Sequence, residues 1–209
     1  MNELSHPDLN DDWITQSCGI VSMSGCAIAA ASDIIGAQLS DEISFVSDTI
    51  SDLAAGGRFD WLADLGLYAF VAAVLAAAIG LSRWRVAGWE WKIGKLLLAL
   101  MAILVTIVGA YEAYSGQGSK PEVHIYLVYV LGISFPLVVW LKSEGIGKAH
   151  GGLKTKLRVF AVLWFLAGPL LFIVPTQNDG LYERFLAFTM MAWFALIGWL
   201  LWSETEKTA

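Results

Sequence analysis

Six apolar runs, each about as long as a membrane-crossing helix, constrain this chain more than any other feature. They cover Trp13 to Leu39, Trp61 to Leu81, Ile93 to Ala113, Val123 to Leu141, Leu157 to Val174 and Phe185 to Trp202. A helix needs about 20 apolar residues to cross the ~30 Å hydrocarbon core of a bilayer. Within that core each backbone N–H and C=O must be satisfied inside the segment or in a closed barrel, so runs of this length predict helices. The chain is 57% hydrophobic and 15% charged, too few charges to cover a soluble protein of this size. The expected fold is all-α, a polytopic transmembrane bundle of six helices with short loops over residues 13–203 and polar tails at 1–12 and 204–209. The first run is the least apolar, interrupted by Gln16, several serines and Asp33. The tail before it is acidic and has no Lys or Arg, which does not fit a secretory signal.

Orientation follows from the basic residues in the loops. Arg83, Arg85, Lys92 and Lys95 lie between runs two and three, Lys142, Lys148, Lys154, Lys156 and Arg158 between runs four and five, and Lys207 in the last tail. The other side carries Arg58, Lys120 and Arg184. The positive-inside bias then predicts a multi-pass inner (plasma) membrane protein with both termini cytoplasmic and the segment from Ser40 to Asp60 outside. Trp13, Trp84, Trp89, Trp91, Trp140 and Trp202 collect at the cytoplasmic boundary, as an interfacial aromatic belt does. No basic stripe with interleaved aromatics exists outside the loops, so nucleic acid is not an expected partner.

Run two places Ala69, Ala73 and Ala77 on one stripe and Ala72, Ala76 and Gly80 on the next. Small residues every fourth position let helix backbones approach closely in lipid, which predicts this run at the centre of the bundle. Pro136 and Pro169 each remove one backbone donor inside a run. Cys18 and Cys26 lie on one predicted helix, separated by roughly 12 Å along its axis. They are too far apart to bridge and read as small packing residues.

The placement of ionisable residues is lopsided. Asp33, Asp64, Glu112, His124, Glu183 and Arg184 all fall at the outer level of their runs. Above them Ile43, Val46, Ile50 and Leu53 recur at helical spacing, predicting an amphipathic interfacial helix that stops at Gly56 and Gly57. That helix would hold Asp48 and Asp52 on one face. The candidate ligand-binding set is therefore Asp48, Ser51, Asp52, Arg58, His124, Glu183 and Arg184. A plain structural role competes with this reading, because acids are stabilised in the first turns of helices and Glu183 has Arg184 and Arg58 as possible partners. With one histidine at this level, a metal-ligand set is missing and no metal is expected. No cofactor is expected either, since His6 and His150 both lie outside the runs and cannot face each other across a haem. Ser47 or Ser51 with His124 and an aspartate would make a hydrolytic triad, an arrangement any serine-rich loop offers.

The loop residues Ile50-Ser51-Asp52-Leu53 with Gly56-Gly57 and Trp61, the His124 that opens run four, and Gly180-Leu181-Tyr182-Glu183-Arg184 at the start of run six resemble the prokaryotic membrane family known as domain of unknown function 998. The resemblance covers nearly the whole chain. Val46-Ser47-Asp48-Thr49 also resembles the Ser-Asp-Thr element of the Frag1/DRAM six-span proteins. The likeness implies six helices and an outward Ser-Asp loop, and brings no activity with it.

Three functions remain. The first is non-enzymatic: binding of membrane lipid or another amphiphile, or service as an accessory subunit of a larger membrane complex. The second is an enzyme acting on lipid head groups with Asp48, Asp52 and His124. The third is a transporter, disfavoured by the lack of a visible internal repeat and of charge at mid-membrane depth.

Overall fold

The computed structural model describes residues 12–54, 57–113 and 121–206, with side chains over 13–54, 57–108 and 126–203. Residues 1–11 of the predicted tail 1–12, Gly56, Lys120, Lys207 and the side chains of Glu112 and His124 lie outside the described residues.

Among the described residues the structure is all-helical, without strands. The α-helices are α1 (Asp12–Leu39), α2 (Ile50–Ala54), α3 (Asp60–Arg83), α4 (Trp89–Ala113), α5 (Pro121–Ala149), α6 (Leu153–Ala167) and α7 (Asp179–Glu206), with short 3₁₀ turns at Gly168–Phe172 and Thr176–Asn178. Six segments, corresponding to the six apolar runs, are long and apolar enough to cross a membrane. This is a multi-pass membrane architecture. One end of the bundle carries the 40–59 loop, and the opposite end carries the α3–α4 and α5–α6 connections.

Packing follows small residues. The backbone of α1 presses on α3 where Gly25 meets the Ala69 carbonyl and Ala73, and on α7 where Gly19 meets Gly198. Lipid supplies no hydrophobic drive between helices, so such close van der Waals approaches hold the bundle together. α3 packs against α1, α4 and α7, the central position predicted for it. Ala73, Val74, Ala77 and Leu81 from this helix are in the core with Leu98, Met101, Phe135, Phe194 and Ile197. From α4 the chain packs outward through α5 to α6. α6 and α7 are joined largely by side chains: Trp164 donates to Thr189 Oγ1 at 3.1 Å and the Tyr182 hydroxyl to the Ala167 carbonyl at 2.9 Å.

Several boundaries depart from the sequence reading: α4, α6 and α7 begin at Trp89, Leu153 and Asp179, ahead of the predicted Ile93, Leu157 and Phe185, and the ends of α5 and α6 also differ. α5 continues through Lys142, Ser143, Glu144 and Lys148, which the charge pattern assigns to a loop. Contacts from other helices account for this. The Lys142 amine sits 3.8 Å from the centre of the Trp91 ring and donates to the Trp91 carbonyl at 3.1 Å, while Glu144 pairs with Lys154 at 2.6 Å and Arg158 at 3.4 Å. The tight α5–α6 connection uses Gly152 at φ 89°, a conformation open to glycine at little steric cost. In run five the α-helix ends at Ala167 and gives way to the 3₁₀ turn at Pro169, whose nitrogen has no hydrogen to donate. Pro136, in contrast, lies inside α5.

Candidate functional site

Short polar side chains shape the 40–59 loop. Ser44 N donates to Asp48 Oδ2 at 2.6 Å, and Asp48 N donates to the Ser44 carbonyl at 2.9 Å. Thr49 N and Oγ1 donate to Asp52 Oδ2 at 2.8 and 2.7 Å, and Asp52 N returns a bond to Thr49 Oγ1 at 3.1 Å. This reciprocal cap starts α2 at Ile50. The predicted interfacial helix is thus shortened to Ile50–Ala54. Ile43 lies in irregular backbone and Val46 in a turn, and Asp48 precedes the helix, so it shares no helical face with Asp52. Serine, threonine and aspartate bonding to nearby backbone compete with helix at these positions.

The loop is fastened to the start of α7. Arg184, 1% exposed, donates through Nε and Nη2 to the two oxygens of Asp33, itself 4% exposed, at 3.0 and 3.1 Å. Its Nη1 donates to the carbonyls of Phe45 at 3.1 Å and Asp48 at 2.6 Å, and the guanidinium carbon lies 4.5 Å from the centre of the Phe45 ring. A planar guanidinium matches a carboxylate in this two-pronged way, which an amine cannot. Glu183 accepts from Ile50 N at 3.0 Å, and Leu181 N donates to the Val46 carbonyl at 2.9 Å. Gly180 lies so close to the Asp48 carbonyl that a Cβ has no room.

Beneath this roof is a cavity of 330 Å³, within the usual size range of small-molecule sites. Ile50, Ser51 and Ala54 of α2 form its top, together with Asp33 and Glu183. The walls are apolar: Ala29 from α1, Gly66 and Phe70 from α3, Val105 and Val108 from α4, Leu131 and Gly132 from α5, Trp164 from α6, Leu186 and Met190 from α7. Ile133, Phe165 and Phe172 also line it while being 54%, 52% and 47% exposed, so it opens sideways through the apolar belt. The space exists because α6 ends early at Gly168-Pro169 and leaves α7 at side-chain distance.

Of the predicted site residues, Ser51 and Glu183 line the cavity. Arg184 stands behind Asp33, and Asp48 and Asp52 are engaged within their own loop. Arg58 lies 5.5 Å from the Phe59 ring centre and does not line the cavity. The side chain of His124 lies outside the described residues. The sequence-based set lacks Asp33, the partner of Arg184, and the apolar lining. The available signals were an acid within run one and the Gly168-Pro169 break in run five. Cys18 and Cys26 are buried free thiols. Among the described residues no group of three or more His, Cys, Asp or Glu gathers as a metal site would require.

Residues 23–200 match the profile of a family described as Protein of unknown function (DUF998). No curated protein and no solved structure matches the chain.

Proposed function

The chain belongs to the DUF998 family, and we propose that it is a non-enzymatic protein that binds a membrane lipid or similar amphiphile in the roofed cavity. The observation carrying this reading is the division of the cavity wall: Asp33, Ser51 and Glu183 at the roof, a mostly apolar wall below in which Tyr129 carries the other hydroxyl, and an opening through exposed apolar side chains. An amphiphile has the same division, and burying its chain there removes apolar surface from competing environments. In the proposed orientation the basic end faces the cytoplasm of an inner membrane with both termini, and the 40–59 loop faces outward. Membrane lipids are then the partners. An accessory role in a larger complex is compatible with this binding. Head-group chemistry fits less well, because Asp48 and Asp52 each bond to their own loop and do not converge on the cavity.

Gly132 provides the test, since a Cβ added there meets nothing nearer among the described residues than Trp164 at 4.0 Å. Gly132→Leu should fill the cavity without disturbing its walls. Purified in mild detergent, the wild type should carry co-purifying amphiphile visible by native mass spectrometry, and the variant should lose most of it at unchanged thermal stability. Equal retention by both proteins would exclude the cavity as the binding place.

A further inference from the structure

We infer that the cavity holds one hydrocarbon chain of about ten carbons, which makes its ligand a single-chain amphiphile of medium length. This inference rests on the amphiphile-binding reading and adds the number and length of the chains.

Dimensions carry the argument. Along α7 the lining runs from Glu183 to Met190, and along α3 from Ala63 to Phe70, a depth of about 10 Å on each helix at ~1.5 Å per residue. Ile50 and Ser51 of α2 close the upper end of this space. At the lower end the Phe70 ring meets the Phe194 ring edge-on at 5.6 Å between centroids, and Phe194 and Phe135 are wholly buried. Carbon–carbon bonds of ~1.5 Å meeting at ~111° advance an extended chain by roughly 1.25 Å per carbon, so this depth takes about eight carbons. The volume supplies a second measure. A methylene fills roughly the 30 Å³ share of a liquid water, so 330 Å³ holds about eleven. Two chains of that length need about twice the space. Carbons beyond these must turn out past the exposed side chains of Ile133, Phe165 and Phe172, into lipid as apolar as the cavity, where they gain nothing. A shorter chain leaves part of the wall without contacts, and an unfilled apolar void is costly.

The probes are 1-monoacylglycerols with saturated chains of six, eight, ten, twelve, fourteen and sixteen carbons. The protein is purified in glyco-diosgenin, a steroid-based detergent that brings no alkyl chain of its own. Binding is followed by native mass spectrometry, with each probe expressed as its mole fraction in the micelle so that partitioning cancels. The wild type should bind about threefold more tightly for each added methylene up to ten carbons, and stay level within about threefold from twelve to sixteen. A continued rise beyond twelve, or no rise between six and ten, overturns the inference. 1,2-Didecanoylglycerol should bind no more than about threefold more tightly than 1-monodecanoylglycerol; a larger gain shows that both chains enter and overturns it too. Met190→Ala removes three heavy atoms from the lower end and should move the break in the series up by about two carbons. An unmoved break in the folded variant overturns the length argument, and the wild-type series decides even if that variant fails to fold. If no probe distinguishes the wild type from Gly132→Leu, the amphiphile reading itself fails and the chain inference falls with it. If the wild type alone binds the probes but without a break near ten carbons, that reading stands and the inference alone fails.

Discussion

Arg184→Met is the substitution that most directly tests the fastening of the roof. The methionine keeps much of the apolar stem and removes all four hydrogen bonds of the guanidinium. Asp33, 4% exposed, is then a buried carboxylate without its counter-ion. Removing one member of a buried ion pair costs about 3–5 kcal/mol. The Phe45 and Asp48 carbonyls lie in a loop that water can reach once it loosens, so they add little. In a chain of this length 1 kcal/mol corresponds to about 2–4 °C in Tm, so the expected loss is roughly 6–20 °C. Asp33→Asn should cost less, about 1.5–3 kcal/mol, because an amide oxygen still accepts from one prong of the fork. The double variant Asp33→Leu/Arg184→Met leaves no uncompensated charge, and apolar replacement of a buried pair is often neutral or stabilising. It should therefore recover at least half of the Arg184→Met loss. The assay is thermal unfolding in mild detergent followed by tryptophan fluorescence, with protease cleavage in the 40–59 loop as a local readout. An Arg184→Met protein melting within about 2 °C of wild type, or a double variant less stable than both single ones, would refute the argument.

Two further substitutions test other parts of the fold by the same melting assay. Lys142 is wholly buried, with its amine on Trp91 and no carboxylate in salt-bridge reach among the described residues. Lys142→Met should leave the Tm unchanged or raise it, since a buried charge is replaced by an apolar chain of similar length, whereas Lys142→Ala should lower stability by about 2–5 kcal/mol through the void it leaves. A large loss in both would mean that the charge itself holds α5 to α4. Gly180→Ala would drive a methyl into the Asp48 carbonyl and within 2.9 Å of Arg184 Nη1. It should cost about 1–3 kcal/mol and increase cleavage in the 40–59 loop, and unchanged cleavage would show that the loop is held elsewhere.

The six long helices are legible because their cause is local: about 20 consecutive apolar residues suffice to name a span. What escapes the sequence depends on partners far along the chain. The continuation of α5 past Leu141 needs Trp91 to accept Lys142 and α6 to present Lys154 and Arg158 to Glu144. Charge alone reads that stretch as a loop. The spacing of Ile43, Val46, Ile50 and Leu53 suits a helix, yet two short-range caps, Ser44 with Asp48 and Thr49 with Asp52, decide the backbone first. For Arg184 the sequence offers Glu183 as a neighbour, but the guanidinium reaches Asp33, 151 positions away. The cavity has the faintest trace of all, since it is space left where α6 stops, and only Gly168-Pro169 marks the place.

Depth decides between a pocket and a path. On every long helix that contributes to the cavity, the next turn toward the basic end closes it. On α7 the lining ends at Met190 and Met191, and Trp193 and Phe194 follow; on α3 Phe70 is followed by Ala73 and Val74; on α4 Val105 is followed by Met101. Phe135 of α5 stands at the centre of this layer, its ring 4.9 Å from Trp164, 5.7 Å from Trp193 and 6.3 Å from Phe194 between centroids. Ser22 of α1 ties the layer by donating to the Phe194 carbonyl at 2.9 Å. Packed aromatic layers do not deform continuously, so passage through this one requires a second, discrete packing of α5 and α7. Among the described residues the roof is fastened by Arg184 and the floor by these rings, and the exposed lining residues Ile133, Phe165 and Phe172 mark an opening on the side of α5 and α6. In the binding reading proposed above, a ligand that arrives and departs by this lateral side is bound, presented or stored.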